Sequence, residues 1–431
     1  MPDASNKFLI RSAIGSIAVK VGNAAAVFAV SVILARALGP ADFGFYAYVF
    51  ALISLLTVLA KAGLPELLVR EVARHKVDEH WSELCALLRF GRIGNLLTTG
   101  LIVVVAACIV WITVGDIDAV RLTTYGWAFA MIPVLVFSEL YGGAIRGWGY
   151  VVVGQLPIFL LRPAGLVLLL LLCLISGRSL STASAMGLHF AAAGLALVFG
   201  WIWSKRIFST LPGGDIAGAD IRRWVKAALP FTMLAGIMVI DSNIDLLMLG
   251  WLASDTDVGT YRAASQTVIV VAFAISSLNM VVAPHIARLY RNGDMHGLQK
   301  MVRVGSRLIA VAGLPVAALL VLFGDEFLGL VFGDEFRVAA LPLSVLCAGQ
   351  AVNLLMGING TVLNMTEYAA VSARIVGAGA LLNVILNIWL IPLYGTAGAA
   401  IATASSLAFW NVLLSATVYR RLKIRTTAFG L

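Results

Sequence analysis

The sequence predicts an all-helical, polytopic membrane protein, and its composition and hydropathy are the two observations that indicate this fold class. Of the 431 residues, 61% are hydrophobic and only 12% are charged. Soluble domains contain about 25% charged residues, so the composition excludes a soluble protein of this length. A helix crosses a bilayer with about 20 apolar residues, and this chain contains one such stretch after another.

Twelve apolar stretches can be distinguished. They are long and continuous rather than alternating, which excludes membrane strands and predicts helices. The predicted spans are residues 12–36, 43–63, 91–114, 120–141, 150–175, 183–203, 228–251, 258–284, 304–323, 338–362, 368–391 and 396–419. We expect the first to be an uncleaved span rather than a signal peptide, because its apolar run is too long and Lys20 interrupts it.

The distribution of charge predicts the orientation. With twelve spans, most of the 31 lysines and arginines lie in segments on one side, and acidic residues such as Asp255 and Asp257 lie on the other. Basic loops stay in the cytoplasm, so we expect both termini there. The net charge of +9 follows from this topology and does not indicate nucleic-acid binding. One inner connection, residues 65–76, is predicted to be either a short helix lying at the inner membrane surface or a solvated connector.

A short sequence repeat relates the two halves of the chain. Residues 38–46 read Leu-Gly-x2-Asp-Phe-Gly-x-Tyr, and residues 249–261 read Leu-Gly-x6-Asp-Val-Gly-x-Tyr. The first joins spans one and two, and the second joins spans seven and eight. In each, we expect the first glycine to end a helix, the aspartate to cap the next, and the second glycine to allow close packing. The alternative explanation is that the two turns are similar independently, because both have to connect helices through a tight turn.

Six spans followed by six more in the same direction form a parallel repeat, an arrangement that many transporters share. We therefore predict an N-terminal lobe over residues 1–214 and a C-terminal lobe over residues 215–431.

Three motifs resemble those of a known family. Residues 33–71 contain "LARALGPADFG" and "AGLPELLVRE", residues 323–336 read "FGDEFLGLVFGDEF", and residues 391–404 read "IPLYGTAGAAIATA". These stretches resemble the oligosaccharide flippases, the polysaccharide-transporter branch of the multidrug/oligosaccharidyl-lipid/polysaccharide (MOP) exporter superfamily. The resemblance implies two six-helix lobes around a central cavity that opens alternately to either side. It also implies a substrate, a polyprenyl-diphosphate-linked oligosaccharide turned over for polymerisation outside.

Ionisable residues inside the spans are the candidate site residues, because each costs at least ~2.5–3.5 kcal/mol at bilayer depth and so faces a cavity or a partner. As candidates for a substrate-binding cavity we select Lys20, Lys61, Arg162, Asp241, Asp245, Arg262 and Arg374. Asp241 and Asp245 are four residues apart and share a helix face, where two carboxylates repel unless a cation or proton lies between them.

Each candidate has a functional and a structural interpretation. Lys20 either meets the substrate diphosphate or pairs with Asp241. Arg162, followed by Pro163, points into a cavity or bonds carbonyls freed at a kink. Lys61 and Arg374 lie close enough to the inner surface to extend into water.

Two further groups also have alternative roles. Arg262 lines the outer mouth or pairs with Asp257. Amides such as Asn383 and Asn387, which share a face, bind sugar hydroxyls or hold helices together, and we favour the second.

No enzyme motif, catalytic residue or nucleotide-binding loop is present in the sequence. The four cysteines form no C-x-x-C pair, and His189 and His285 have no spaced partner, so we expect no metal site and no cofactor beyond a coupling proton or sodium ion.

The function we predict is a flippase in the bacterial cytoplasmic membrane. We expect a monomer whose partners are the lipid-linked oligosaccharide, membrane lipids, and the polymerase and glycosyltransferases of the same pathway. The alternatives are a multidrug exporter of the same superfamily and a membrane-embedded glycan polymerase or ligase.

Overall fold

The chain is helical throughout the described residues. The computed structural model describes residues 2–113, 118–209, 211 and 221–429. Every regular element in these ranges is a helix, so the all-α prediction is confirmed. The predicted lobe boundary between residues 214 and 215 lies outside the described residues.

The chain divides into two compact units. One consists of Met1–Leu38 with Val49–Ile240, and the other of Gly39–Tyr48 with Asp241–Leu431. The first repeat turn, at residues 38–46, therefore belongs almost entirely to the second unit. The division into lobes 1–214 and 215–431 stays a prediction.

Helices α1 to α7 cover the first half of the chain. They are α1 (Pro2–Lys61), α2 (Leu64–Val77), α3 (Trp81–Thr113), α4 (Ala119–Gly147), α5 (Val151–Leu156), α6 (Arg162–Ile175) and α7 (Thr182–Phe208). A single π-helical turn, Pro157–Leu161, connects α5 to α6.

Helices α8 to α14 cover the second half. They are α8 (Ile221–Leu252), α9 (Asp255–Arg291), α10 (Met295–Leu322), α11 (Gly324–Phe332), α12 (Ala340–Met356), α13 (Asn359–Asn364) and α14 (Ala369–Leu422). A 3-10 segment, Asp334–Ala339, lies between α11 and α12.

Nine helices among the described residues are long and apolar enough to cross a membrane. Two of them contain a glycine with non-helical backbone angles, Gly39 in α1 and Gly395 in α14. Asn383 and Thr403 of α14 are hydrogen-bonded at 3.2 Å, although a straight helix would separate them by about 30 Å. Helix α14 therefore folds back on itself at Gly395, within the break predicted between residues 391 and 396. The count of twelve spans stays a prediction.

The helix predicted over residues 65–76 is confirmed as α2, and the alternative of a solvated connector is wrong. Leu64, Leu67, Leu68 and Val72 of α2 are buried in an apolar cluster of the first unit, together with Trp224. These residues recur at helical spacing, so one side of α2 meets the protein interior.

Glycines of α4 allow α2 to pack closely. A Cβ atom at Gly143 would lie 2.5 Å from the carbonyl oxygen of Pro65, and one at Gly147 would lie 2.9 Å from the carbonyl oxygen of Leu68. Both approaches are too close for any larger residue, so the two helices meet with their backbones nearly in contact.

The two repeat turns end their first helices differently. Gly39 has φ 75°, so it breaks α1 as predicted. The expectation for Gly250 is wrong, because Gly250 is helical and α8 continues to Leu252. The second turn contains four more residues than the first, about one helical turn, and this insertion extends α8 past the glycine. Gly250 instead packs against the ring of Tyr48.

The predicted cap of α9 differs in one detail. Ser254 is the N-cap residue, and its hydroxyl accepts a hydrogen bond from the backbone N–H of Asp257. Asp257 occupies the third helical position, and its carboxylate accepts from the Ser254 N–H at 3.1 Å, which completes a capping box.

The second glycine of each turn lies in a reciprocal contact, so its predicted packing role is confirmed. A Cβ atom at Gly44 would overlap the carbonyl oxygen of Asp255, and one at Gly259 would overlap the carbonyl oxygen of Pro40. In both cases the partner lies four residues before the opposite glycine. The two turns therefore meet through the same surface, which independent turns would not be expected to share.

We expect Gly44→Ala to destabilise the protein by roughly 1–3 kcal/mol, because the new methyl group has to displace the Asp255 backbone. The measurement is the midpoint of thermal unfolding in detergent. Gly236→Ala is the matched control, since a Cβ atom there meets nothing within 4 Å. Equal midpoints for the two variants would contradict the close contact.

Candidate functional site

A buried carboxylate, Asp245 of α8, is the centre of a polar network in the second unit. Its side chain accepts hydrogen bonds from the hydroxyls of Tyr261 and Thr403, both at 2.6 Å, and from the amide of Asn387 at 2.7 Å. Asn387 also donates to Asn383 at 2.9 Å. Asp245 is only 9% exposed, so these donors replace the water that a carboxylate otherwise requires.

The fold of α14 brings this network together. Asn383 and Asn387 precede the break at Gly395, and Thr403 follows it. A Cβ atom at Gly398 would overlap the carbonyl of Leu390, so the two arms of α14 run closely side by side. Their polar residues consequently face the same point, where α8 supplies Asp245 and α9 supplies Tyr261.

The network has three donors and one unused acceptor. The three donors are the hydroxyls of Tyr261 and Thr403 and the side-chain amide of Asn387. The Oδ1 atom of Asn387 is buried, and no described residue donates a hydrogen bond to it. The favoured interpretation of Asn383 and Asn387, that they hold helices together, agrees with their contacts.

Asp241 is in a different environment from Asp245, although both lie on the same face of α8. It is exposed, whereas Asp245 is buried. Of the two carboxylates, Asp245 is therefore the one enclosed by hydrogen-bond donors from other helices.

Lys61 forms a buried ion pair in the first unit. Its Nζ atom lies 2.6 Å from an oxygen of Glu139 in α4, and its side chain is 10% exposed. The expectation that Lys61 extends into water is wrong, because Glu139 neutralises it inside the protein. Glu139 is not among the predicted site residues, although a carboxylate near the end of an apolar stretch is the signal that marks it in the sequence.

Arg162 lies beside an aromatic pair. Its guanidinium is 5.9 Å from the ring centre of Phe50, and that ring stacks on His189 at 4.9 Å. A π-helical turn, Pro157–Leu161, directly precedes Arg162 and Pro163. The kink predicted at Pro163 stays a prediction.

The remaining candidates have fewer contacts. Lys20 and Arg374 are exposed, and Arg262 is half-buried. Arg374 donates to the carbonyl of Ala370 within its own helix. Roles in substrate binding stay predictions for all seven residues.

A cavity of about 290 Å³ in the first unit combines positive charge with aromatic rings. Arg92 of α3 and Lys205 of α7 line it, together with Tyr141 and Trp201. The ammonium of Lys205 lies 5.4 Å from the ring centre of Trp201. Arg92 and Lys205 are not among the predicted site residues, because no sequence pattern places α3 beside α7.

The model of the polysaccharide biosynthesis protein family matches residues 9–290 of this sequence. The chain belongs to this family. The MatE family model also matches, over residues 230–389. The predicted membership of the MOP superfamily is thereby confirmed.

Named relatives agree with this assignment. The chain is 26% identical to the "Probable low-salt glycan biosynthesis flippase Agl15" of Haloferax volcanii over 40% of this chain and 36% of that protein. It is 26% identical to the membrane protein YabM of Bacillus subtilis over 85% of this chain and 72% of YabM. The match to Agl15 thus spans little more than a third of that relative. Relatives named for a function are flippases, in agreement with a protein that is not an enzyme.

Two solved structures share the fold. An inward-facing multidrug resistance MATE family transporter of the MOP superfamily has a TM-score of 0.77 at 13% identity, covering 95% of this chain and 98% of that chain. The lipid II flippase MurJ, in an inward closed conformation, has a TM-score of 0.75 at 13% identity, covering 95% of this chain and 87% of that one. The chain is therefore a multi-pass membrane protein with the fold of MOP-superfamily transporters.

We expect Lys61→Met to destabilise the protein by about 3 kcal/mol, because it leaves the Glu139 carboxylate without its partner. Combining Lys61→Met with Glu139→Leu should recover most of this loss, since no charge then remains. Thermal unfolding in detergent measures both effects.

Lys226→Met is the matched control, because Lys226 is exposed. A midpoint for Lys61→Met equal to that of the control would show that the ion pair contributes nothing to stability.

Proposed function

We propose that the protein is a flippase for a polyprenyl-diphosphate-linked oligosaccharide, moved from the inner to the outer face of the membrane by alternating access. The match of the polysaccharide biosynthesis family over residues 9–290 carries this proposal. The product would serve synthesis of a surface or exopolysaccharide. A lipid-linked substrate requires both a polar path for its headgroup and contact with lipid for its chain.

The cavity lined by Arg92 and Lys205 supports recognition of the headgroup. Two cations suit a diphosphate, which needs compensating charge when it leaves water. Tyr141 and Trp201 add apolar faces for a sugar. Ligand pockets measure roughly 300–1,000 Å³, so this cavity suits the diphosphate and its first sugar rather than the whole oligosaccharide.

The proposed function also includes the membrane in which the protein lies and its orientation there. The excess of lysine and arginine in one set of connections supports cytoplasmic termini. The cavity then lies near the cytoplasmic ends of α3 and α7, where a lipid-linked oligosaccharide is made. We propose the bacterial cytoplasmic membrane as the location, a monomer as the working unit, and the polymerase and glycosyltransferases of the pathway as partners.

The experiment places the purified chain in liposomes that contain a fluorescent polyprenyl-diphosphate oligosaccharide. An impermeant quencher then measures how quickly the lipid changes leaflet. We expect the wild type to accelerate this exchange, and Lys20→Ala and the double variant Arg92→Ala/Lys205→Ala to slow it about tenfold or more, since a charge-assisted hydrogen bond contributes roughly 1.5–3 kcal/mol. Lys20→Arg should keep part of the activity.

Lys300→Ala is the control, because Lys300 is exposed and lies outside the cavity. Failure of the wild type to accelerate exchange, combined with uptake of a cationic drug, would favour the multidrug exporter. Elongation of the oligosaccharide would instead indicate a polymerase or ligase.

We also propose that Asp245 binds the coupling ion, either a proton or sodium. The Asp245 carboxylate and the Asn387 Oδ1 atom, to which no described residue donates, are ligands of the kind that a hard cation prefers. Tyr261 and Thr403 can turn their hydroxyl hydrogens away and accept the same ion through oxygen. Binding of an ion would thus alter contacts among α8, α9 and both arms of α14.

We expect transport to rise when a sodium or proton gradient is imposed, and Asp245→Asn to abolish that response, because the amide cannot neutralise a cation. The measurement is the exchange rate in the same liposomes with and without each gradient. Asp241→Asn tests the neighbouring exposed carboxylate and should keep most of the response. Loss of the response only in Asp241→Asn, or no response in the wild type, would contradict the assignment.

A further inference from the structure

Two histidines and a glutamate meet where α2 joins α3. His75 lies in the last turn of α2, His80 directly precedes α3, and Glu83 lies in the first turn of α3. One ligand atom from each of the three lies within 4.8 Å of the other two. They form a cluster in the first unit, apart from the ion pair of Lys61 and from the residues that line the Arg92 cavity.

The connection between the helices holds this arrangement. Glu79 has φ 55°, an uncommon conformation for a residue other than glycine. The backbone N–H of His80 donates to the carbonyl of His75 at 3.0 Å, and the N–H of Leu84 donates to the carbonyl of His80 at 3.1 Å. The turn thus fixes both histidine backbones before any ligand is bound.

His75 is the buried member of the cluster. It is 4% exposed, and both of its ring nitrogens are buried without a hydrogen-bond partner among the described residues. Its Nδ1 atom faces a Glu83 oxygen at 3.6 Å. A buried ring nitrogen without a partner costs free energy, so it requires an explanation.

The other side of the same ring faces a second carboxylate. His75 Nε2 lies 3.8 Å from an oxygen of Glu71, and Arg70 holds Glu71 at 2.8 Å. A carboxylate behind a histidine favours the tautomer with hydrogen on Nε2, which leaves the Nδ1 lone pair directed at Glu83. Metal-binding histidines commonly have such a partner.

We propose that His75, His80 and Glu83 bind a first-row transition metal ion, for which Zn²⁺ is the probe. Two imidazoles and one carboxylate are a donor set that zinc accepts, with water in the fourth position. Glu71 is a positioning residue that orients His75. The ion links α2 to α3, and this site is independent of the proposed transport function.

An ion pair of protonated His75 with the two carboxylates is the competing explanation. The carboxylate oxygens lie 3.8 Å from Nε2 and 3.6 Å from Nδ1 of His75, and neither ring nitrogen has a hydrogen-bond partner among the described residues. Neither contact has the short distance of a hydrogen-bonded ion pair, so the ion pair explains the cluster less well than a bound metal ion. The cluster has the sequence pattern His-x4-His-x2-Glu, which neither a search for cysteine pairs nor the spacing of His189 and His285 detects.

The test uses the full chain in detergent, purified without a histidine tag and freed of metal with a chelator. Zn²⁺ alone is then added, and bound metal is measured by mass spectrometry and by competition with a chromophoric chelator. We expect one Zn²⁺ per chain, with the affinity reduced at least about tenfold by either His80→Gln or Glu83→Gln. Both residues are exposed, so these variants should fold.

His296→Gln is the matched control, because it removes an exposed histidine outside the cluster and should change the affinity less than about twofold. Zn²⁺ should also raise the thermal unfolding midpoint of the wild type but not that of the double variant His80→Gln/Glu83→Gln. Absence of bound zinc at tenfold molar excess, or equal binding by the double variant and the wild type, would overturn the proposal.

Discussion

The absence of water inside a bilayer is the constraint on which this structure depends. Without water, backbone N–H and C=O groups form their hydrogen bonds within helices, and charged side chains need partners from the protein. Asp245 therefore collects three donors from two other helices, and Lys61 lies 2.6 Å from Glu139. Each arrangement joins helices that are distant in the chain, so the polar groups that are expensive to bury also specify which helices meet.

Glycines determine where the chain reverses and how closely its turns approach. Gly39 and Gly395 adopt backbone angles that other residues avoid, and each interrupts a long apolar helix. Gly44 and Gly259 have the other role, because each allows a backbone carbonyl of the opposite turn to lie where a side chain would be. Because each turn contacts the other through the equivalent glycine and carbonyl, the reciprocal contact explains why both turns keep the same sequence motif.

Local patterns made the helices and the breaks predictable, because apolar length and glycine positions act over a few residues. The break before residue 396 follows from such patterns, whereas residues 65–76 were open between a surface helix and a solvated connector until the burial of α2 decided for the helix. The contacts of Lys61 do not follow from such patterns, because Glu139 is 78 residues away, and the partners of Asp245 lie up to 158 residues away. The prediction for the end of α8 is wrong for a local reason, since the four-residue insertion in the second turn adds about one helical turn after Gly250.

The repeat preserves the turn while the two halves differ in polarity. Aligning Gly39 with Gly250 places Leu34 opposite Asp245. Leu34 is fully buried. The first half therefore has a leucine at the position where the second half has a carboxylate. An apolar side chain at this position is sufficient for a buried helix, so stability alone does not explain the carboxylate, and replacing buried polar groups by apolar ones is often neutral or stabilising. The burial cost of Asp245 is what the proposed ion binding would require in the second half, because reversible binding of a cation is a task that a leucine cannot perform.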